Sequence, residues 1–295
     1  VIPEEYFRSG KVVREVRQWV RDSVRPGMAL LEISRLVERE IEARGGKPAF
    51  PCGLGLNHVT AHYAPQEDDA SVFGEDDLLK VDFGVHIDGY ITDTAVTMTF
   101  NPEHQLLLEA TERALEAAIE TVKRDTRVGE VGRAIFQEAR RLGFRTIENL
   151  SGHTLERYVV HAGKSIPNLF MPNQPSLRNS EVFAIEPFLT LGDASGYVVD
   201  SPQKTIFSLI ARRRVGEREL DEFMDTVWDE RKTLPFTPRW YLGRYSRQRL
   251  DEMLGALVKR KVVRAYPTLV EASGRPVAQF EHTMALDGGS LTILT

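Results

Sequence analysis

The sequence predicts an α+β fold: helices covering a shared antiparallel sheet, built from two related halves and interrupted by a helical insert. Three observations predict it. The stretch 78–100, LLKVDFGVHIDGYITDTAVTMTF, reads as a two-stranded hairpin. An order of helix, helix, terminal glycine, His-bearing stretch and acid-bearing strand occurs twice. A charge-dense helical segment then stands between that second strand and further strand-like sequence near the C-terminus.

The first half opens with apolar residues at Val12, Val13, Val16, Val20 and Val24, a spacing that predicts a helix over 10–24. Arg25-Pro26-Gly27 breaks it. A second stripe, Leu30, Leu31, Ile33, Val37 and Ile41, predicts a helix over 28–44, stopped by Gly45-Gly46. An irregular stretch with His58 and His62 follows. In the hairpin, Asp88-Gly89 is a two-residue turn signal. Opposed residues then share the index sum 177, so Asp82 faces Ala95 and Asp93 faces Gly84. Side chains alternate with period two, which puts Asp82 and Asp93 on one face as diagonal neighbours.

The second half predicts helices over 102–123 and 129–142, a polar stretch with His153 and His161, and a strand over 181–188. His62 follows Gly45 by about the same interval as His161 follows Gly143. This weak repetition implies half-domains related by a pseudo-twofold, with His62 and His161 on opposite sides of one site. The expected boundaries are 1–206 and 268–295 for the main domain and 207–267 for a winged-helix-like insert. Residues 208–275 hold 15 Lys+Arg against 10 Asp+Glu. A solvated helical face explains that balance, and RNA or ribosome contact is the sharper alternative. Strands over 276–286 and 290–295 close the chain.

Net charge is -5, which carries no global nucleic-acid signature, and the hydrophobic content of 42% suffices for a full core. A single cysteine, Cys52, excludes an intrachain disulfide and a CxxC metal site. No signal core or transmembrane run is present in the sequence, so a cytoplasmic protein without membrane or DNA partners is expected.

Five residues carry the chemistry. Asp82, Asp93, Glu186 and Glu281 are acids within apolar strand sequence, and His153 follows a Ser-Gly turn. Each alone has an ordinary explanation: a solvated strand face, a salt-bridged strand end, a capped loop histidine. Three strand segments each burying acids are harder to dismiss, because unpaired buried carboxylates are costly. Four carboxylates and one imidazole suit two divalent ions, and oxygen-rich ligation points to Mn, Fe(II), Co or Zn.

Seven segments resemble one family: KPAFPxxxxxNxxxAHYxP at 47–65, KVDFGVHIDGYITDTAVT at 80–97, NLSGH at 149–153, HAGKSIPN at 161–168, FAIEPF at 183–188, TLPFxxRW at 233–240 and AQFEHT at 278–283. The chain looks like a type 2 methionine aminopeptidase of archaeal size, from the pita-bread metallopeptidases, over nearly all its length. Departures are small: Lys232 stands where many members have Gly, and Cys52 and Gly53 fall in a variable stretch. The resemblance implies a hydrolase that removes the N-terminal methionine of nascent chains with a small second residue. It implies that Asp82 binds one ion, His153 and Glu186 the other, and that Asp93 and Glu281 bridge. Glu186 is then the proton shuttle, His62 and His161 flank the scissile peptide, and Phe50, Val160, Phe188 and Tyr266 wall the methionine pocket. The insert is expected to add Leu234, Phe236 and Tyr266 to that wall. A monomer is expected, with transient ribosome contact left open.

Three rival readings remain at this stage. An X-Pro peptidase of the same fold carries a similar ligand set, generally with a large extra N-terminal domain. A non-enzymatic relative acting on RNA or ribosomes would have broken ligands. A winged-helix regulator rests on the insert alone.

Overall fold

In a computed structural model describing residues 1–295, the first half comprises helices α1 (Glu4–Ser23) and α2 (Leu30–Ala43), then strands β1 (Lys47–Pro48), β2 (Gly53–Leu56), β3 (Val59–Ala61), β4 (Leu78–Ile87) and β5 (Tyr90–Thr99). The second half comprises α3 (Pro102–Thr121), α4 (Val128–Arg141), β6 (Phe144–Thr146), β7 (Ser151–Leu155), β8 (Ser165–Pro167), β9 (Glu181–Ile185) and β10 (Phe188–Leu191). Then come β11 (Val198–Leu209), α5 (Arg218–Arg231), α6 (Arg247–Lys259) and β12 (Val263–Glu271). The chain finishes with β13 (Val277–Gln279), β14 (Glu281–Asp287) and β15 (Ser290–Ile293). No helix is long and apolar enough to cross a membrane.

The central sheet runs β1-β4-β5-β14-β9-β7-β8, with β2 and β15 added on β4 and β14. All its pairings are antiparallel. Val81, Phe83 and Val85 on β4 join the valines of α1, the apolar stripe of α2, and α3 and α4 in one large core. Alternation therefore turns Asp82 and Gly84 to the other face. The hairpin has the expected register, Asp82 opposite Ala95 and Gly84 opposite Asp93. Its turn residues Asp88 and Gly89 both have positive φ, as a type I′ turn requires.

Two strands differ from the sequence expectation in the same way. The run 181–188 is not one strand: β9 ends at Ile185, and β10 belongs to a separate sheet with β6 and β13. Pro187 has no N–H for a ladder, so the pairing ends there. The run 276–286 is likewise split at Phe280 into β13 and β14. β10 and β13 pair with each other, Phe188 opposite Gln279. Both chains thus leave the central sheet side by side, at Glu186 and just before Glu281.

Helix α1 starts at Glu4, earlier than its valine stripe suggests. Pro3 holds the N-cap position, Glu4 and Glu5 fill the first turn, and Tyr6, Ser9 and Gly10 are buried. Gly10 lies against the C-terminal segment, where an added Cβ would be 2.4 Å from the Leu294 carbonyl oxygen. The insert has its own core of 14 buried residues, including Phe207, Phe223, Phe236, Tyr241 and Leu257. It stands on the β11–β12 hairpin, whose ladder reaches back to Val198 and Glu271 and forward to β3.

Candidate metal centre

A row across the sheet reads Asp82, Ala95, Glu281, each opposite the next. Asp93 lies two residues along β5 on the same face, opposite Gly84. On the far side His153 opposes Ala184. Small residues between the candidate ligands let other groups approach the strands closely. At Gly84 an added Cβ would sit 2.5 Å from the Phe50 ring. Thr283 completes the seam between β5 and β14: its hydroxyl accepts from the Asp93 N–H at 2.7 Å and donates to the Asp93 carbonyl at 2.8 Å.

The side chains converge. Ligand atoms of Asp93, His153 and Glu281 all lie within 4.8 Å of one another. His153 Nε2 is 3.6 Å from Asp93 Oδ2 and 3.5 Å from Glu186 Oε1. Gln279 Nε2 donates to Glu186 Oε2 at 3.2 Å and reaches Asp82 Oδ2 at 3.4 Å. Asp93 Oδ1, Glu281 Oε1 and His153 Nδ1 are buried without any hydrogen-bond partner. Four carboxylates packed this way repel, and burial adds to the cost of charging them. Burial pushes the Asp82 carboxyl up to about 7. Asp93 is raised by burial and by Asp82; Glu186 by burial, Asp82 and Asp93. Glu281 is raised by burial and by its three acidic neighbours, against the pull of Arg17.

The imidazoles are pushed the other way, toward neutrality. Burial takes His153 down to about 3, helped by His161. It takes His62 down to about 4, again helped by His161. His161 is lowered by burial and by Arg264. A neutral imidazole beside raised carboxylates is a ligand without a proton to displace. Orphaned oxygens, an orphaned imidazole nitrogen and uncompensated like charge all fit divalent cations.

A cavity of about 230 Å³ is lined by Asp82, Asp93, His153, Glu186, Glu281, His62, His161, Phe50, Val160, Phe188 and Tyr266, all expected at the site from the sequence. His62 and Tyr266 meet edge to face at 5.6 Å, and His153 and His161 rings lie 4.3 Å apart. Two expected wall residues are elsewhere. Leu234 is packed in a small core with Ala49 and Leu155, and Phe236 is in the core of the insert. Pro235 between them, with Ile206, lines the cavity instead. The peptide turns its two large apolar side chains into cores and leaves the rigid ring to face the site.

Sequence reasoning missed Gln279, Thr283 and Arg17. Arg17 reaches from α1 to the Glu281 carbonyl at 2.9 Å and the Thr94 hydroxyl at 2.8 Å. The neutral Gln279 and Thr283 carry no cost signal in a sequence, and Arg17 reads as helix surface. The motif AQFEHT, which contains Gln279 and Thr283, was the available signal.

This constellation, on this sheet, defines a metallopeptidase. The chain belongs to metallopeptidase family M24, whose model matches residues 4–224. Within it the chain groups with the methionine aminopeptidases. It is 41% identical over 293 residues to the methionine aminopeptidase of Pyrococcus horikoshii and 42% identical over 293 residues to that of Thermococcus kodakarensis. Each alignment covers 99% of both chains. In fold it resembles the structure of a thermophilic Arx1, with TM-score 0.86 at 16% identity, covering 100% of this chain and 91% of that one.

Proposed function

We propose that this enzyme removes the N-terminal methionine from peptides and nascent proteins with a small second residue. The observation that carries the reading is one small cavity in which five metal-type ligands, Asp93, His153 and Glu281 among them buried, meet an apolar wall. At about 230 Å³ it is below the roughly 300–1,000 Å³ of drug-sized sites, so it suits a single side chain. Phe50, Val160, Phe188 and Tyr266 would receive the methionine side chain.

Asp82, Asp93, His153, Glu186 and Glu281 would hold two divalent ions, drawn from Co, Mn, Fe(II) or Zn. Such ions supply Lewis-acid polarisation of the scissile carbonyl and activation of water. The chain supplies the rest. Glu186 Oε takes the proton of the attacking water and returns it to the leaving amine. The neutral rings of His62 and His161 donate N–H groups to the developing oxyanion or the next amide. The carboxylates meet the substrate's α-amine, which makes the action that of an exopeptidase.

The insert over 207–267 is read as a subdomain on the catalytic core 1–206 and 268–295, with Pro235 and Tyr266 as its part of the pocket wall. Its separate apolar core supports this division. Of its basic run, Arg212 and Arg214 are already paired with Asp225, which favours a solvated face. Monomeric state and transient ribosome contact belong to the same reading; light scattering and ribosome cosedimentation test them.

The decisive assay uses metal-loaded protein with Met-Ala, Met-Leu and Ala-Pro peptides. Release of methionine from Met-Ala, slower release from Met-Leu and none of alanine from Ala-Pro is expected. Cleavage of Ala-Pro without cleavage of Met-Ala would transfer the enzyme to the X-Pro class.

A further inference from the structure

We propose that Arg264 is a specificity-determining residue: a second cleft beside the metal cavity receives the outgoing substrate chain, and the guanidinium there favours a carboxylate. The inference deepens the aminopeptidase reading above and rests on it.

The cleft measures about 250 Å³ and shares Val160, His161, Pro235 and Tyr266 with the metal cavity. Tyr266 is the partition. Its ring meets that of His62 at a steep angle, and its hydroxyl is hydrogen-bonded to Ser208 on the cleft side at 3.1 Å. With methionine in the metal cavity, the outgoing peptide is taken to run past His161, part of the wall that the two spaces share. An extended chain advances about 3.3–3.6 Å per residue, so the third to fifth residues would cross the cleft.

Its chemistry is one-sided. Arg264 is the sole charged residue lining it, and no acid does. The arginines nearby on the insert, Arg212 and Arg214, are tied to Asp225, whereas Arg264 has no ion-pair partner. Its position is fixed by the β11–β12 ladder, opposite Ser208. The rim carries the exposed apolar side chains Val159 and Ile210, at 38% and 48% exposure, which suit the flank of a peptide. A lone cation in a small cleft matches one carboxylate, and it is too little charge for a polyanion.

The carboxylate could come from an Asp or Glu side chain or from the free end of a short peptide, and two arms of one experiment separate these. Amidated Met-Ala peptides carry a single Asp or Lys at position three, four or five; Met-Ala-Ser is compared as acid and amide. At low ionic strength the metal-loaded enzyme should prefer Asp over Lys at one position by about two- to fivefold in kcat/KM, mainly through KM. A preference for the tripeptide acid alone would assign the free terminus. The preference should shrink in 0.5 M salt, where the screening length is roughly 4 Å against about 8 Å at physiological ionic strength. It should survive in Arg264→Lys, vanish in Arg264→Ala and reverse in Arg264→Glu. Methionine release with no charge preference, or the same preference in Arg264→Ala, overturns this inference alone. No methionine release from any peptide overturns the aminopeptidase reading and this inference with it.

Discussion

At Asp93 and Glu281 a carboxylate oxygen is buried with no partner, and three other acids crowd each group. Replacing either by its neutral isostere removes a proposed ligand and a repulsion together. Asp93→Asn and Glu281→Gln should therefore abolish methionine release and the thermal shift produced by Mn(II) or Co(II). The metal-free variants should nevertheless melt a few degrees above the metal-free parent, because a buried carboxyl that must either keep a proton or carry a like charge is gone. A metal-free variant that melts lower would show that these groups stabilise the fold by other bonds. Lys232 poses a backbone question. It ends α5 at φ 56°, ψ -115°, a conformation that costs a side chain about 1–3 kcal/mol. Its ammonium lies 5.5 Å from the Trp228 ring centre, which returns about 0.5–1 kcal/mol. Lys232→Gly should give a net gain of about 1 kcal/mol, a melting rise of about 2–4 °C in differential scanning calorimetry. The acids of the site were legible in the sequence because charge within apolar strands must be compensated. Gln279 was not, since an amide can be solvated or buried at little cost, and only the fold shows it between Asp82 and Glu186.

Among elements, the hairpin of β4 and β5 was legible to the residue, because Asp88-Gly89 fixes the turn and the turn fixes the register. The splits at Pro187 and Phe280 were not. Apolar strand sequence reads the same whether it pairs in one sheet or crosses to a second, and the crossing is set by partners far away. Pro187 was a usable clue to the first split. Gly10 in α1 is a test of packing against propensity. In an exposed helix, Gly→Ala gains about 1 kcal/mol. Here the added carbon would meet the Leu294 carbonyl at 2.4 Å, a backbone atom that cannot turn aside. Gly10→Ala should thus destabilise by about 1–3 kcal/mol in urea melts. A stabilised variant would show that the C-terminal segment can move away from α1 without loss.

For the molecule as a whole, the four raised carboxyls give stability a pH dependence that a bound cation should oppose. Unfolded carboxyls titrate near 4. Asp82 in the fold titrates at about 7, and the other three are also raised. Between those values the folded chain holds protons that the unfolded chain has lost. Their contribution is full below about 4 and is lost as pH rises through about 7 and beyond. The metal-free protein should therefore lose melting temperature between pH 5.5 and 8. Saturating Mn(II) or Co(II) should remove that fall and, at about 100 times its dissociation constant, add about 2.7 kcal/mol, or roughly 5–10 °C. Parallel curves with and without metal would mean that cation and protons do not compete for the same oxygens.

Strand β14 sits in the middle of the central sheet, between β5 and β9, though it is among the last segments in the chain. Just before it, the end of β13 places Gln279 against Asp82, 197 positions away in sequence. During synthesis, every earlier strand must therefore wait with the sheet open. The ten-residue β5 and the five-residue β9 present unpaired edges until residues 281–287 emerge. A chain stalled before that point has the helices and most of the apolar core but two adhesive strand borders and no complete ligand set. Such a chain is a substrate for chaperones and a seed for aggregation rather than a slow enzyme. Catalytic competence and escape from aggregation come from the same late strand, so this fold switches on as it becomes safe.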